Sequence, residues 1–268
     1  MNSNILVITV LYNQALEQTN IFRTLLRECE NVFIYDNSPS PETKDNLPDG
    51  WHYVSDPSNP GLSKAYNLGA EYASEHGFDW LLITDQDTIF PAGAFQEYTK
   101  RIAETEYPEI IIPQVITTDH RFLSPVKTHG YVSRLAESAP SGDINLKKYA
   151  VINSGICVNT AAFQQCGGYN EKVSLDFSDF QFIEKFSKIN PRAYVLNIKC
   201  IQDFSDITDN KEKKLSRFRL FCKSLKGYES SRPFGKVELT GVVLKRAISV
   251  SLSTKTLLPL RIFLKEYL

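Results

Sequence analysis

The sequence predicts an α/β domain on a mostly parallel sheet with helices on both faces, and three observations carry that prediction. Apolar runs recur at positions 5–10, 32–35 and 80–84, the pattern of strands buried on both sides. A segment of helical periodicity lies between the last two, so strands and helices alternate as crossover connections require. Polar side chains follow each run at once: Tyr12 and Asn13, then Asp36 and Asn37, then Asp85 and Asp87. Open sheets of this kind bind ligands beyond the carboxyl ends of their strands.

Along the chain, the run 5–10 is the first strand. Thr19, Phe22, Leu26 and Cys29 then recur at helical spacing. The second strand, 32–35, ends in Asp36-Asn37-Ser38-Pro39, which is turn chemistry. Residues 51–54 form a third. Leu62, Ala65, Tyr66, Gly69, Ala70 and Ala73 trace one face of the clearest helix, with Gly77 as its stop. Strand 80–84 and helix 94–102 follow. Residues 117–149 are polar and irregular, a long loop or a small β insertion. Residues 151–158 are apolar, interrupted by Asn153-Ser154-Gly155. Phe180, Ile183 and Phe186 predict a helix from near Ser178, 194–196 and 198–201 are extended, and from Lys213 the chain is helical, basic and amphipathic.

With 268 residues, 42% hydrophobic and 23% charged, the chain can bury a sizeable core, which excludes wholesale disorder. Five cysteines, odd in number and without a CxxC pair, predict free thiols and neither a disulfide framework nor a zinc site. Residues 1–4 lead straight into the first strand and no apolar run approaches ~18 residues, so the expectation is a cytoplasmic protein with no signal peptide and no spanning helix. Residues 211–268 carry 14 Lys/Arg against 4 Asp/Glu, a net +10, while the first 210 carry a net −11. A basic tail on an acidic body predicts that the tail meets something anionic.

Asp85-Gln86-Asp87 is the sharpest chemical signal. Two carboxylates one residue apart can reach one hard cation, and a diphosphate would supply further oxygens. A bare DxD is more often a solvated turn, but this one ends a buried strand.

The motifs ITVLYNQ, IYDNSP, NPGLSKAYNLGAEYA, LLITDQDT and INSGICVNTAAFQQCGGYNEKVSLDFSDFQF occur in an order that resembles family 2 glycosyltransferases of the GT-A fold; the DQD form is similar to bacterial rhamnosyltransferases. The likeness covers residues 5–206. It implies a GT-A Rossmann-like domain over 1–210, with a nucleotide-sugar half (about 1–115) and an acceptor half (about 116–210), and a helical C-terminal extension over 211–268. It further implies inverting transfer of a hexose or deoxyhexose from a dTDP- or UDP-linked donor to a bacterial surface glycan or lipid-linked oligosaccharide.

Carried onto this chain, the resemblance makes Asp36 the acceptor of a hydrogen bond from the nucleobase, where an Asx turn is the plain alternative. Tyr12 and Asn13 would line the same pocket. Asn59 and Gly61 would approach the donor, and Asn67 its sugar or phosphate, unless Asn67 is an exposed helix residue. Asp85 and Asp87 would hold Mn²⁺ or Mg²⁺. Where family members often carry a histidine ligand, Gln202 stands, with Asp203 competing; a glutamine carbonyl binds a hard cation more weakly than imidazole binds a transition metal. Asp179 falls at the catalytic base position and Asp176 one turn earlier; the alternative is helix capping by Asp176 with Asp179 in the first turn. His129, in the polar insertion, is a further candidate for acceptor contact.

The tail fits either amphipathic helices on the anionic inner face of the plasma membrane, dipping Phe218, Leu220, Phe221, Ile262, Phe263 and Leu264, or a helical cap on the core or a second subunit. Two other functions stay open. A sugar nucleotidyltransferase shares the sheet, but LYNQALEQ lacks the Gly-rich basic loop it needs. An inactive sugar-binding module is opposed by Asp85, Asp87 and Asp179, though Gln202 leaves it open. Nothing points to nucleic acid.

Overall fold

A computed structural model describes residues 4–41, 47–104, 110–202 and 210–268. The first half alternates as expected: β1 (Ile5–Leu11), α1 (Phe22–Glu28), β2 (Val32–Asp36), β3 (Trp51–Ser55), α2 (Leu62–Glu75), β4 (Trp80–Asp85), β5 (Thr88–Ile89) and α3 (Ala94–Glu104). The second half adds β6 (Ile110–Thr117), β7 (Phe122–Ser124), β8 (Val126–His129), β9 (Val132–Ser133), β10 (Gly142–Asn145), β11 (Tyr149–Ala150), β12 (Cys157–Asn159), α4 (Thr160–Gln165), α5 (Ser178–Ile189) and β13 (Arg192–Gln202).

The main sheet runs β10-β13-β6-β12-β4-β1-β2-β3. β1 is parallel to both β2 and β4, and β2 to β3. β12 lies antiparallel between β4 and β6, and β13 is parallel to β6. Period-two alternation splits β1 between two cores: Leu6, Ile8 and Val10 pack under α2, α4 and α5, while Val7 and Leu11 pack against α1 and α3. Both faces are covered, which is why the run 5–10 contains no charge.

Most local expectations hold, and one needs correction. In α1 the buried leucine is Leu25, whereas Leu26 is 51% exposed. The helix is entered at buried Ile21, and Leu25 joins it on the inward face; of the expected row, Thr19 is buried and Phe22 and Cys29 pack half-buried against the same cluster, so Leu26 alone points outward. The insertion 117–149 is built of short strands, β7 to β10, and its His129 is exposed. Of the apolar stretch 151–158, only its end is strand; residues 153–155 turn instead. All five cysteines are free thiols, three of them buried.

The tail forms α6 (Lys211–Lys226), α7 (Gly235–Thr254), α8 (Leu258–Ile262) and a closing turn over Phe263–Tyr267. These elements share an apolar cluster with Tyr131 and Val173 of the body. Phe218, Phe221, Ile262 and Phe263 are buried in it, so four of the six residues expected to dip into lipid are core; Leu220 and Leu264 are exposed. Among the described residues no helix is long and apolar enough to cross a membrane.

Candidate active site

Strand register gathers the polar residues. Leu11 pairs with Asp36 and Val10 with Asp85, so the ends of β1, β2 and β4 lie side by side. The Asp36 carboxylate is buried; it accepts the Ser38 N–H at 2.8 Å, an Asx turn, and the Tyr53 hydroxyl at 2.7 Å. Asn13, at φ 51°, donates its N–H to Ser38 Oγ at 2.8 Å. Asn13, Asp36, Ser38 and Ser40 line one cleft of about 280 Å³.

A second cleft of about 610 Å³ is lined by Tyr12, Asn37, Asn59, Gly61, Asp85 and Asp87, with Gln202 on its wall. The middle residue of the DxD is structural. Gln86 accepts the Tyr12 N–H at 2.8 Å and donates to the Tyr12 carbonyl at 3.3 Å, which fastens the turn after β4 to the turn after β1. Asn20 adds bonds to the carbonyls of Gln86 and Asp87. Gly61 is required where it stands: its φ is +103°, and a Cβ there would lie 2.4 Å from the Ser174 carbonyl, which accepts the Leu62 N–H at 2.7 Å. That contact pins the loop before α2 to the opposite wall.

Asn67 is not brought to the cleft. Its amide accepts the Tyr169 N–H at 2.8 Å and donates to the Tyr169 carbonyl and to Glu171. It ties α2 to the segment after α4.

Asp85 receives the Tyr66 hydroxyl at 3.2 Å, with Ser154 also in hydrogen-bonding contact. Burial, then the charge of Asp87, pushes its pKa up to about 7. Gln202 donates to Asp87 Oδ1 at 3.5 Å, while its Oε1 is buried with no partner among the described residues. No group of three or more His, Cys, Asp or Glu gathers as a ligand set among those residues. The oxygens available on one wall are therefore Asp85, Asp87 and the orphaned Gln202 carbonyl, which suit a hard cation whose remaining positions a diphosphate fills. Asp203 lies outside the described residues.

A third cleft of about 330 Å³ opens beside the second and shares Leu62, Asp85, Leu175, Gln202 and Arg217 with it. Asp179 lines it from the first turn of α5 and accepts the Phe180 N–H at 2.7 Å. Burial raises the Asp179 pKa to about 7, and the charge of Asp176 adds to that. Asp176 does not cap the helix: Phe177 holds the cap position in a left-handed conformation. Asp176 instead accepts Arg217 of α6 at 2.8 Å.

The raised Asp179 pKa has a consequence for stability. An unfolded aspartate ionises near ~3.9, so the folded chain holds this proton more tightly and loses stability as pH climbs from about 4 to about 7. Asp179→Asn is expected to raise the melting temperature at pH 8 and to leave it nearly unchanged at pH 4, measured by thermal denaturation.

Sequence reasoning missed Tyr66, Ser154 and the α6 residues Lys213, Ser216 and Arg217 on the wall of the larger cleft. A tyrosine on a buried helix face was a usable signal, since its hydroxyl needs a partner. Nothing in the sequence links α6 to a site some 130 residues upstream.

Sheet order, crossover connections and a carboxylate pair at the end of a central strand together define a protein of the GT-A fold. Residues 6–166 match the model of glycosyl transferase family 2, and the chain belongs to that family. It is 29% identical over 192 residues to dTDP-rhamnosyl transferase RfbF of Shigella flexneri, covering 68% of this chain and 62% of that relative's length. S. aureus TarS, residues 1–349, superposes with a TM-score of 0.56 at 14% identity, over 93% of this chain and 73% of that one. The mannosyltransferase PcManGT from Pyrobaculum calidifontis, in complex with GDP-Man and Mn²⁺, superposes with a TM-score of 0.52 at 13% identity, over 96% and 73%.

Proposed function

We propose that this chain moves a sugar, rhamnose or another hexose, from a dTDP- or UDP-linked donor to a glycan hydroxyl, with inversion and with Mn²⁺ or Mg²⁺. One observation carries the reading: Asp85, Asp87 and Gln202 face one cleft, and Asp179 faces a second that shares Asp85 and Gln202 with it. The RfbF relative is a dTDP-rhamnosyl transferase, which supports rhamnose as the donor sugar.

Asp36, Asn13 and Tyr12 bind the nucleoside side of the donor. Asp85, Asp87 and Gln202 would hold the cation, which when bound neutralises charge on the departing nucleoside diphosphate. Asp179 takes the proton from the acceptor hydroxyl as the oxygen attacks the anomeric carbon. Tyr66 and Ser154 orient Asp85. Arg217 stands where the two clefts meet and adds positive charge facing the leaving group. The acceptor is a lipid-linked surface glycan met at the inner face of the plasma membrane.

The deciding test is thermal protection by dTDP. The nucleotide is expected to raise the melting temperature only when Mn²⁺ or Mg²⁺ is present, by mass action on the folded state. Equal protection in chelator would end the metal reading. Arg217→Ala is expected to cut turnover at least ~10-fold, the scale of losing one positioned charge. A variant as fast as wild type would leave Arg217 as a structural tie to Asp176 alone.

A further inference from the structure

Helix α7 is apolar on two faces, and the fold covers one. Leu239, Val243 and Ala247 point into the cluster shared with α6. On the opposite side Val237, Leu244, Ile248 and Leu252 recur at i, i+7, i+11 and i+15 and are exposed, Val237 and Leu252 by 70% and 75%. At 100° per residue these four fall on one narrow stripe about 22 Å long, turned away from the buried row. Phe234, 80% exposed, extends it at the helix N-terminus. Nine of the fifteen exposed large apolar residues among those described lie in residues 211–268. Such a concentration marks an interaction face.

Charge decides what covers it. Lys245 is exposed beside the stripe, Lys255 is exposed in the left-handed turn that ends α7, and Arg261 and Lys265 follow beyond it. Glu238, the helix's single acidic residue, faces Arg232 at 3.8 Å. A second copy meeting this face across a two-fold axis would bring lysines against lysines. An anionic lipid surface satisfies both features at once: headgroups meet the cations while the stripe enters the acyl boundary.

We propose that the α7 stripe lies in the plane of an anionic bilayer surface and holds the catalytic cleft beside it. α7 packs on α6, whose other contacts include the cleft wall at Lys213 and Arg217. Membrane contact and cleft are thus joined through one rigid helix pair. The face differs from the one the sequence suggested, since Phe218, Phe221, Ile262 and Phe263 are core. The inference deepens the lipid-linked acceptor reading but stands on its own observations.

The test uses the full chain with vesicles of phosphatidylglycerol and phosphatidylethanolamine, against vesicles of phosphatidylcholine, in co-sedimentation. Binding is expected to the anionic vesicles only and to fall several-fold at ~0.5 M salt, where the Debye length shrinks to a few ångströms. Leu244→Asp with Ile248→Asp, both at exposed positions, is expected to lower binding at least tenfold with thermal protection by dTDP unchanged. Lys245→Glu with Lys255→Glu is expected to do the same. Anionic vesicles ignored by wild type at low salt overturn the proposal, as does binding that survives both pairs. Wild type that sediments as a dimer, dissociated by the apolar pair without any change in lipid binding, assigns the face to a second copy instead. Loss of dTDP protection in wild type would sink the donor reading and leave this one intact.

Discussion

Asp87→Asn is expected to lower sugar transfer at least ~100-fold, the scale of removing one preorganised group that meets developing charge. The substitution keeps the shape of the side chain and its contact with Gln202, 3.5 Å away, but removes the negative charge. The fold should survive, because the turn is held by Gln86 and Asn20 through bonds that do not involve the Asp87 carboxylate. The measurement is the initial rate of nucleoside diphosphate release from donor plus acceptor, with metal titrated. Activity above a tenth of wild type at saturating metal would remove Asp87 from the cation site. Loss of activity with a collapsed melting temperature would show that Asp87 serves the fold.

Asp179→Asn should cut turnover ~100-fold or more and leave donor binding near normal, since general bases contribute on that scale. The pH profile gives a second, independent reading. The base acts ionised, and burial lifts its pKa to about 7, so wild-type turnover should rise with pH through about 7 and level off above it. The residual rate of the variant should lack that rise. Asp176→Asn is expected to do less harm, because Asp176 is tied to Arg217 at 2.8 Å. If Asp176→Asn is the more damaging change, the two carboxylates exchange roles.

Much of this was legible in the sequence because it is local. The strands at 5–10, 32–35 and 80–84 are continuous apolar runs, and the α2 face from Ala65 to Ala73 repeats at helical spacing; both patterns report burial directly. In α1 only Leu26 was misjudged, because Leu25 and Leu26 both fit a helical repeat, and the entry of the helix at Ile21 selects between them. Asn67 was misplaced for a similar reason: a polar residue on an amphipathic helix can face donor, solvent or a neighbouring backbone, and Tyr169 is what meets it.

The tail shows where pattern reading ends. Its +10 charge and alternating apolar groups were plain, but α7 carries two apolar rows, and periodicity cannot say which one the body covers. That depends on where Tyr131 and Val173 stand, more than 40 residues away in sequence.

The sequence alone determined the alternation of strands and helices, the carboxylate pair ending β4 and the basic character of the extension, since each follows from spacing within a few turns of chain. Tertiary structure decided that Gln202 faces Asp87, that Tyr66 orients Asp85, that Arg217 of α6 stands between the two clefts, and which side of α7 stays open. Those are contacts between segments tens to more than a hundred residues apart, and such contacts exist only once the sheet has set the register of its strands.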